Sequence, residues 1–252
     1  EAVSGDHYTL ERRKDYAWGP GDWKTDQPGL PDKVVLRIVS NESTAVNLLV
    51  SGEVNAANVL GPDQQRLQAQ KMLQRDVMAM FGELWFNQKP GLPGAELDVR
   101  KALTQALDLD QLTQVLTSGT GKRATGLVAP GLTPCPQDTV SSKVPSHNVD
   151  AAKQTLDAAG WKAGPDGIRA KDGKKLTVSL YYVTELGTTM QATAELMQKF
   201  WSAVGVEVSA KGSTHAEINQ VIVAGQGSWD ATILPLNGAN VTKGVVEEIG
   251  YL

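Results

Sequence analysis

Residues 176–210 read LTVSLYYVTELGTTMQATAELMQKFWSAVGVEVSA. Two periods follow one another in this stretch. LTVSLYYV is short, apolar, β-branched and aromatic, which suits a strand. From Thr188 to Val204, Met190, Ala194, Met197 and Trp201 recur every three or four positions, the spacing of one helix face. Gly205 stops the helix, and residues 206–210 return to strand. The alternation continues with a short helix over 216–223 and a strand over 229–234. On the amino-terminal side, Asn148-Val149-Asp150 caps a helix that Gly160 ends. Two Gly-containing turns, 164–167 and 171–174, precede the strand at 176. Helices and strands in strict alternation argue for an α/β architecture with helices covering a sheet.

Further upstream, residues 98–117 form the clearest helical stretch, which Asp108 and Asp110 break in two. Residues 118–147 are irregular and rich in Pro, Gly, Ser and Thr. Residues 62–76 are Gln-rich and helical, and Met78 to Phe86 is an apolar run expected as a strand. NQKPGLPG (87–94) breaks the chain there, so a domain boundary is placed near residue 84, giving 1–84 and 85–252. Nearer the start, Tyr8–Arg12 alternates like a strand. KVVLRIV (33–39) predicts a strand covered on both faces, followed by a helix at 45–50 and a strand at 54–60, a βαβ-like unit.

Of the 252 residues, 41% are hydrophobic and 21% charged, enough for a packed core. The net charge is −4 and basic residues form no stripe, which argues against a nucleic-acid partner. Arg12-Arg13-Lys14 reads as a solvated strand or turn. The single cysteine, Cys135, forms no internal disulfide and has no neighbouring base. No apolar run reaches the roughly 18–20 residues that span a bilayer. The chain begins without Met and reads as a processed or excised piece.

No catalytic motif survives inspection. Gly119-Thr120-Gly121-Lys122 lacks the glycine spacing and the following Ser or Thr of a phosphate loop, and reads as a turn. GxSxG is absent. His7, His147 and His215 lie far apart without ligand-spaced partners, so neither a metal nor another cofactor is expected. Close acidic pairs such as Asp108/Asp110 and Glu247-Glu248 are common on solvated faces. Trp23, Trp161 and Trp201 are read as edges of a core. Trp85 and Trp229 sit at strand ends beside chain breaks, where α/β domains build ligand clefts; core packing is the alternative.

Several segments in series carry a resemblance. DYAWG (15–19), SGEV (51–54), FNQKP (86–90), DVRKAL (98–103), ALDLD (106–110), Pro130-Gly131, residues 148–161, DGIR (166–169) and KDGK (171–174) occur in order. Together they resemble the family 5 extracellular solute-binding proteins of ABC importers, whose members bind oligopeptides, dipeptides, nickel chelates and some sugars. Asn55 stands where that family's turn usually has Asp. The resemblance implies an α/β, periplasmic-binding-protein-like type II fold of two lobes. Here part of the first lobe (1–84) would be joined to most of the second (85–252).

It also implies capture of a peptide or similar small solute in an interlobe cleft, and no enzyme chemistry. Partners would be ABC importer permease subunits. The protein would be a monomer outside the cytoplasm, tied to the membrane only by a lipid anchor not in this chain. Peptide-binding family members carry an acidic residue shortly after the strand that here contains Trp229-Asp230-Ala231. That place falls near Ala239, and neither Ala239 nor Asn240 is acidic. Asn237 and Asn240 are candidates to hydrogen-bond a neutral solute or a peptide backbone, or are simply loop caps. Thr184 and Glu185, between a strand and a helix amino terminus, form a second candidate wall, as do Trp85 with Asn87 beside it. Two other functions remain open: a solute-sensing receptor module without transport, and a hydrolase using paired carboxylates.

Overall fold

The structure, a computed structural model, describes residues 1–16, 24–75, 82–125, 137–138, 141–225 and 227–234. It divides into two compact units, Glu1–Val59 and Leu60–Leu252, a division that falls ahead of the residue 84 expected from the Pro/Gly break.

In the first unit, strands β1 (Ala2–Val3), β2 (His7–Glu11) and β3 (Lys33–Arg37) form an antiparallel sheet in that order. Helix α1 (Glu42–Ser51) follows. The Asn41 side chain accepts from Thr44 N–H at 2.9 Å and starts the helix. Gly52, at φ 80°, ends it, with Glu53 N–H donating to the Leu48 carbonyl at 2.9 Å. The SGEV segment is therefore a helix C-cap. Two expectations fail here. Residues 54–60 form no strand, so the βαβ-like unit is not made. The amide of Val54 instead donates to Leu48 O, and NAAN (55–58) has little preference for a pleated ladder. Strand β3 is antiparallel, and all five of its residues are exposed rather than covered. An apolar run records that a strand suits burial; it does not supply the covering layer.

The second unit carries α2 (Asp63–Ala69), shorter than the helix expected over 62–76, and β4 (Glu83–Phe86). The rest of the Met78–Phe86 run up to residue 81 lies outside the described residues. Next come α3 (Leu97–Gln105), α4 (Leu109–Leu116) and α5 (Val149–Ala158). Asp108 separates α3 from α4 by capping α4, accepting from the amides of Asp110 and Gln111. Gly119, at φ 81°, returns its amide to Gln114 O in the turn that follows α4, so the Gly119–Lys122 stretch is the expected turn. Three short strands, β5 (Lys162–Ala163), β6 (Arg169–Lys171) and β7 (Lys174–Lys175), build a small antiparallel sheet that the sequence reading did not anticipate.

The main sheet contains β4, β8 (Thr177–Val183), β9 (Glu207–Ser213) and β10 (Ala231–Leu234), in the order β4-β10-β8-β9. Strands β10, β8 and β9 are parallel and β4 runs antiparallel on the edge. Helix α6 (Thr188–Ser202) links β8 to β9 and α7 (His215–Ile222) links β9 to β10. The first crossover moves outward in the sheet and the second moves back. Right-handed crossovers then set α6 and α7 on opposite faces. The core agrees. Val178, Leu180, Val208, Ala231 and Ile233 join Met190, Ala194, Met197 and Trp201 in one cluster, with Leu84 and Phe86 packed on it. Val183 and Ile218 are buried outside that cluster.

Trp201 and Trp161 are core residues, not core edges. Trp201 is fully buried, donates to Leu103 O at 2.9 Å and lies 6.3 Å from the Phe86 ring. The polar residues beside it face outward because the helical period alternates faces. Trp23 lies outside the described residues.

Arg169 ties the small sheet to this core. It is buried, and its guanidinium donates to the carbonyls of Val204 (2.7 Å) and Trp161 (2.6 Å) and to Asp157 Oδ1 (2.8 Å). Arg169→Ala leaves both carbonyls without their donor, at about 1–3 kcal/mol each, and is expected to lower the urea midpoint accordingly. The hydrogen bond from Arg169, helped by its charge and that of Lys162 and opposed by desolvation, holds the Asp157 carboxyl below the usual carboxylate range. A depressed carboxylate stabilises the fold at neutral pH, and that stability is lost as pH falls through the folded value. Asp157→Asn is therefore expected to flatten the acid limb of a stability-versus-pH curve.

Candidate functional site

Parallel strands place all their carboxyl ends on one edge of a sheet, and loops leaving that edge meet where crossovers diverge. In the main sheet this edge is formed by Val183, Ser213 and Leu234. Strand β4 runs the other way, so its first residue arrives there: Glu83 pairs with Leu234.

Thr184 and Glu185 stand on this edge, in the 3₁₀ turn Thr184–Leu186 that follows β8. The Thr184 hydroxyl donates to Ser213 O at 3.3 Å, tying the ends of β8 and β9. Glu185 Oε2 accepts from His215 N–H, the first amide of α7, at 2.6 Å. A carboxylate at a helix amino terminus is favoured by the orphan amides and the dipole there. Thr214 and Glu217 close the same terminus as a capping box.

Asn87 and Trp229 stand at the opposite edge. Asn87 N–H donates to Asp230 O at 2.8 Å and its Nδ2 to Trp229 O at 2.9 Å, while its Oδ1 accepts from Lys89 N–H at 3.1 Å. Asp230 Oδ2 in turn accepts from Ser179 N–H and hydroxyl at 2.8 and 2.7 Å. These bonds fasten the start of β10 between β4 and β8. Strand β10 has four residues, so about 10 Å at ~3.3 Å per residue separates the two edges. Asn87 and Trp229 thus lie apart from Thr184 and Glu185. Trp85 sits between, half-buried, paired with Thr232 on the sheet face away from the main core. The row continues through Tyr181 to Lys211, whose Nζ lies 5.3 Å from the Tyr181 ring centroid. Asn237 and Asn240 lie outside the described residues.

One residue of this edge was not singled out from sequence. Glu83 is the one charged residue in the apolar run Met78–Phe86. Its Oε2 is buried without a hydrogen-bond partner among the described residues. A charge inside an apolar strand is a local conflict with the surrounding pattern, and that signal was legible.

A family model described as "Bacterial extracellular solute-binding proteins, family 5 Middle" matches residues 1–242. The chain belongs to the family 5 extracellular solute-binding proteins. Within that family, it is 30% identical over 215 residues to the oligopeptide-binding protein AppA of Bacillus subtilis, a match covering 84% of this chain and 37% of AppA. The nickel-binding periplasmic protein of Escherichia coli is 32% identical over 130 residues, covering 50% of this chain and 24% of that protein. The structure of Bacillus subtilis AppA in complex with a nonapeptide superimposes with a TM-score of 0.77 at 26% identity, covering 93% of this chain and 45% of AppA. The fold class is that of type II periplasmic-binding proteins. The chain spans less than half the length of these relatives.

Two substitutions measure what these side-chain bonds contribute to the fold. Asn87→Ala removes the side-chain bonds to Trp229 O and from Lys89 N–H, keeps the backbone bond to Asp230 O, and is expected to cost about 1–3 kcal/mol of stability. Glu185→Ala removes a helix cap and is expected to cost about 0.5–1 kcal/mol. Urea denaturation of the variants measures both.

Proposed function

We propose that this chain is part of the solute-binding component of an ABC importer and that it works outside the cytoplasm. It captures a peptide or similar small solute in the cleft on which family members close, and presents it to permease subunits. The family match over residues 1–242 carries this reading. The carboxyl edge of the main sheet, with Thr184 and Glu185 on it, supplies one cleft wall. Lobe membership follows the boundary near residue 84, so β4 leads into the second lobe. The intact protein is a monomer held at the membrane by a lipid anchor.

Capture requires no bond to be made or broken. A solute that touches both lobes favours the closed state by its differential affinity, and the importer distinguishes closed from open. Asn87 and Asp230 serve this indirectly, because they hold β4, β10 and β8 in register. The AppA structure was determined with a nonapeptide, which makes peptides the first solutes to test.

The test is a thermal-shift screen of the intact protein against trialanine, a nonapeptide, a nickel–histidine chelate and maltose. A solute at 100 times its Kd adds about 2.7 kcal/mol to stability, which raises Tm by several degrees for a protein of this size. At least one peptide is expected to do so without being consumed. Consumption of a peptide supports the hydrolase reading instead. A solute-loaded protein that fails to bind permease supports the sensing reading.

A further inference from the structure

Three observations converge on Glu83. The register opposite Leu234 puts it on the carboxyl edge of the parallel strands. Alternation along β4 puts it on the same face as Trp85, since Leu84 and Phe86 face the main core. Its Oε2 is buried and has no hydrogen-bond partner among the described residues. A buried carboxylate oxygen left unpaired is costly, and native proteins satisfy nearly all such atoms. The other carboxylates placed at this edge are occupied: Glu185 by His215 N–H, and Glu217 by Thr214 N–H at 2.8 Å. Asp230 is held by Ser179 at the far edge.

We propose that Glu83 is the anionic anchor for a cationic group on the bound solute, a protonated amine or a guanidinium, with Trp85 flanking that group on the same strand face. The inference rests on the solute-binding reading above and specifies its substrate class. A carboxylate supplies the charge-assisted hydrogen bond, and an indole two residues along supplies the electron-rich face that cations favour. The negative charge missing near Ala239 is then provided from a different strand. Selectivity follows, because a solute without a cationic group leaves the buried oxygen unpaired.

The test uses the intact protein, stripped of bound solute, as wild type, Glu83→Gln and Glu83→Asp. The probes are trialanine, N-acetyl-trialanine, arginylglycine, the nickel–histidine chelate and maltose, followed by calorimetry and thermal shift. Trialanine or arginylglycine is expected to bind wild type, with affinity falling about 10- to 100-fold in Glu83→Gln. The Asp variant retains part of that affinity. N-acetyl-trialanine is expected to bind wild type and Glu83→Gln equally weakly. Without solute, Glu83→Gln is expected to melt above wild type, because binding groups held unpaired cost stability.

Equal affinity of wild type and Glu83→Gln for the amine probes overturns the proposal and leaves the transport reading standing. Binding of maltose or the chelate alone does the same. A lower melting temperature for solute-free Glu83→Gln assigns the carboxylate a structural role and also overturns it. No binding of any probe to wild type overturns the solute-binding reading together with this one.

Discussion

Everything in the second unit depends on the parallel pairing of β8 with a neighbour on each side. Seven residue pairs join β8 to β9 and three join it to β10. Parallel strands cannot be joined by a hairpin, so each pairing requires a crossover. Those crossovers are α6, which leads outward from β8 to β9, and α7, which leads from β9 back across β8 to β10. This reversal places a helix on each face of β8. The apolar residues of β8 that face α6 alternate with Ser179 and Tyr181, which face the other side.

The two edges of this sheet have different jobs. At the amino edge, bonds from Asn87 to Trp229 O and from Ser179 to Asp230 fasten the end of β4 and the start of β10 to β8. At the carboxyl edge, Thr184 and Glu185 hold the ends of β8 and β9 and the start of α7, while one Glu83 oxygen has no partner among the described residues. A fastened edge gives the other a fixed geometry. That arrangement suits the proposed capture of a solute, because a site positioned by rigid strands loses little freedom on binding.

Sequence patterns located elements well where period and caps agreed. The face of α6, the break at Asp108 and the cap at Asn148 are all as read. They fail where an element needs a distant partner. The apolar run in β3 suited burial on both faces, yet its residues are exposed. The small sheet β5-β6-β7 was missed because its strands are two or three residues long, too short for a period to register. Trp85 and Asn87 were grouped because they are near in sequence, but the pairing with β10 sends Asn87 to the far edge and faces Trp85 with Glu83.

By itself, then, the sequence determined the α/β class, the helix faces and their caps, and the family. These are local or serial properties: a period of 3.6 or 2, a side chain reaching its own turn, and motifs in a fixed order. Only the tertiary structure decided which residues share an edge. Asn87 meets Trp229 across 142 residues, and Glu83 meets Leu234. Strand pairing over such separations is chosen by how the sheet closes its hydrogen bonds and covers its faces. No local pattern records that choice.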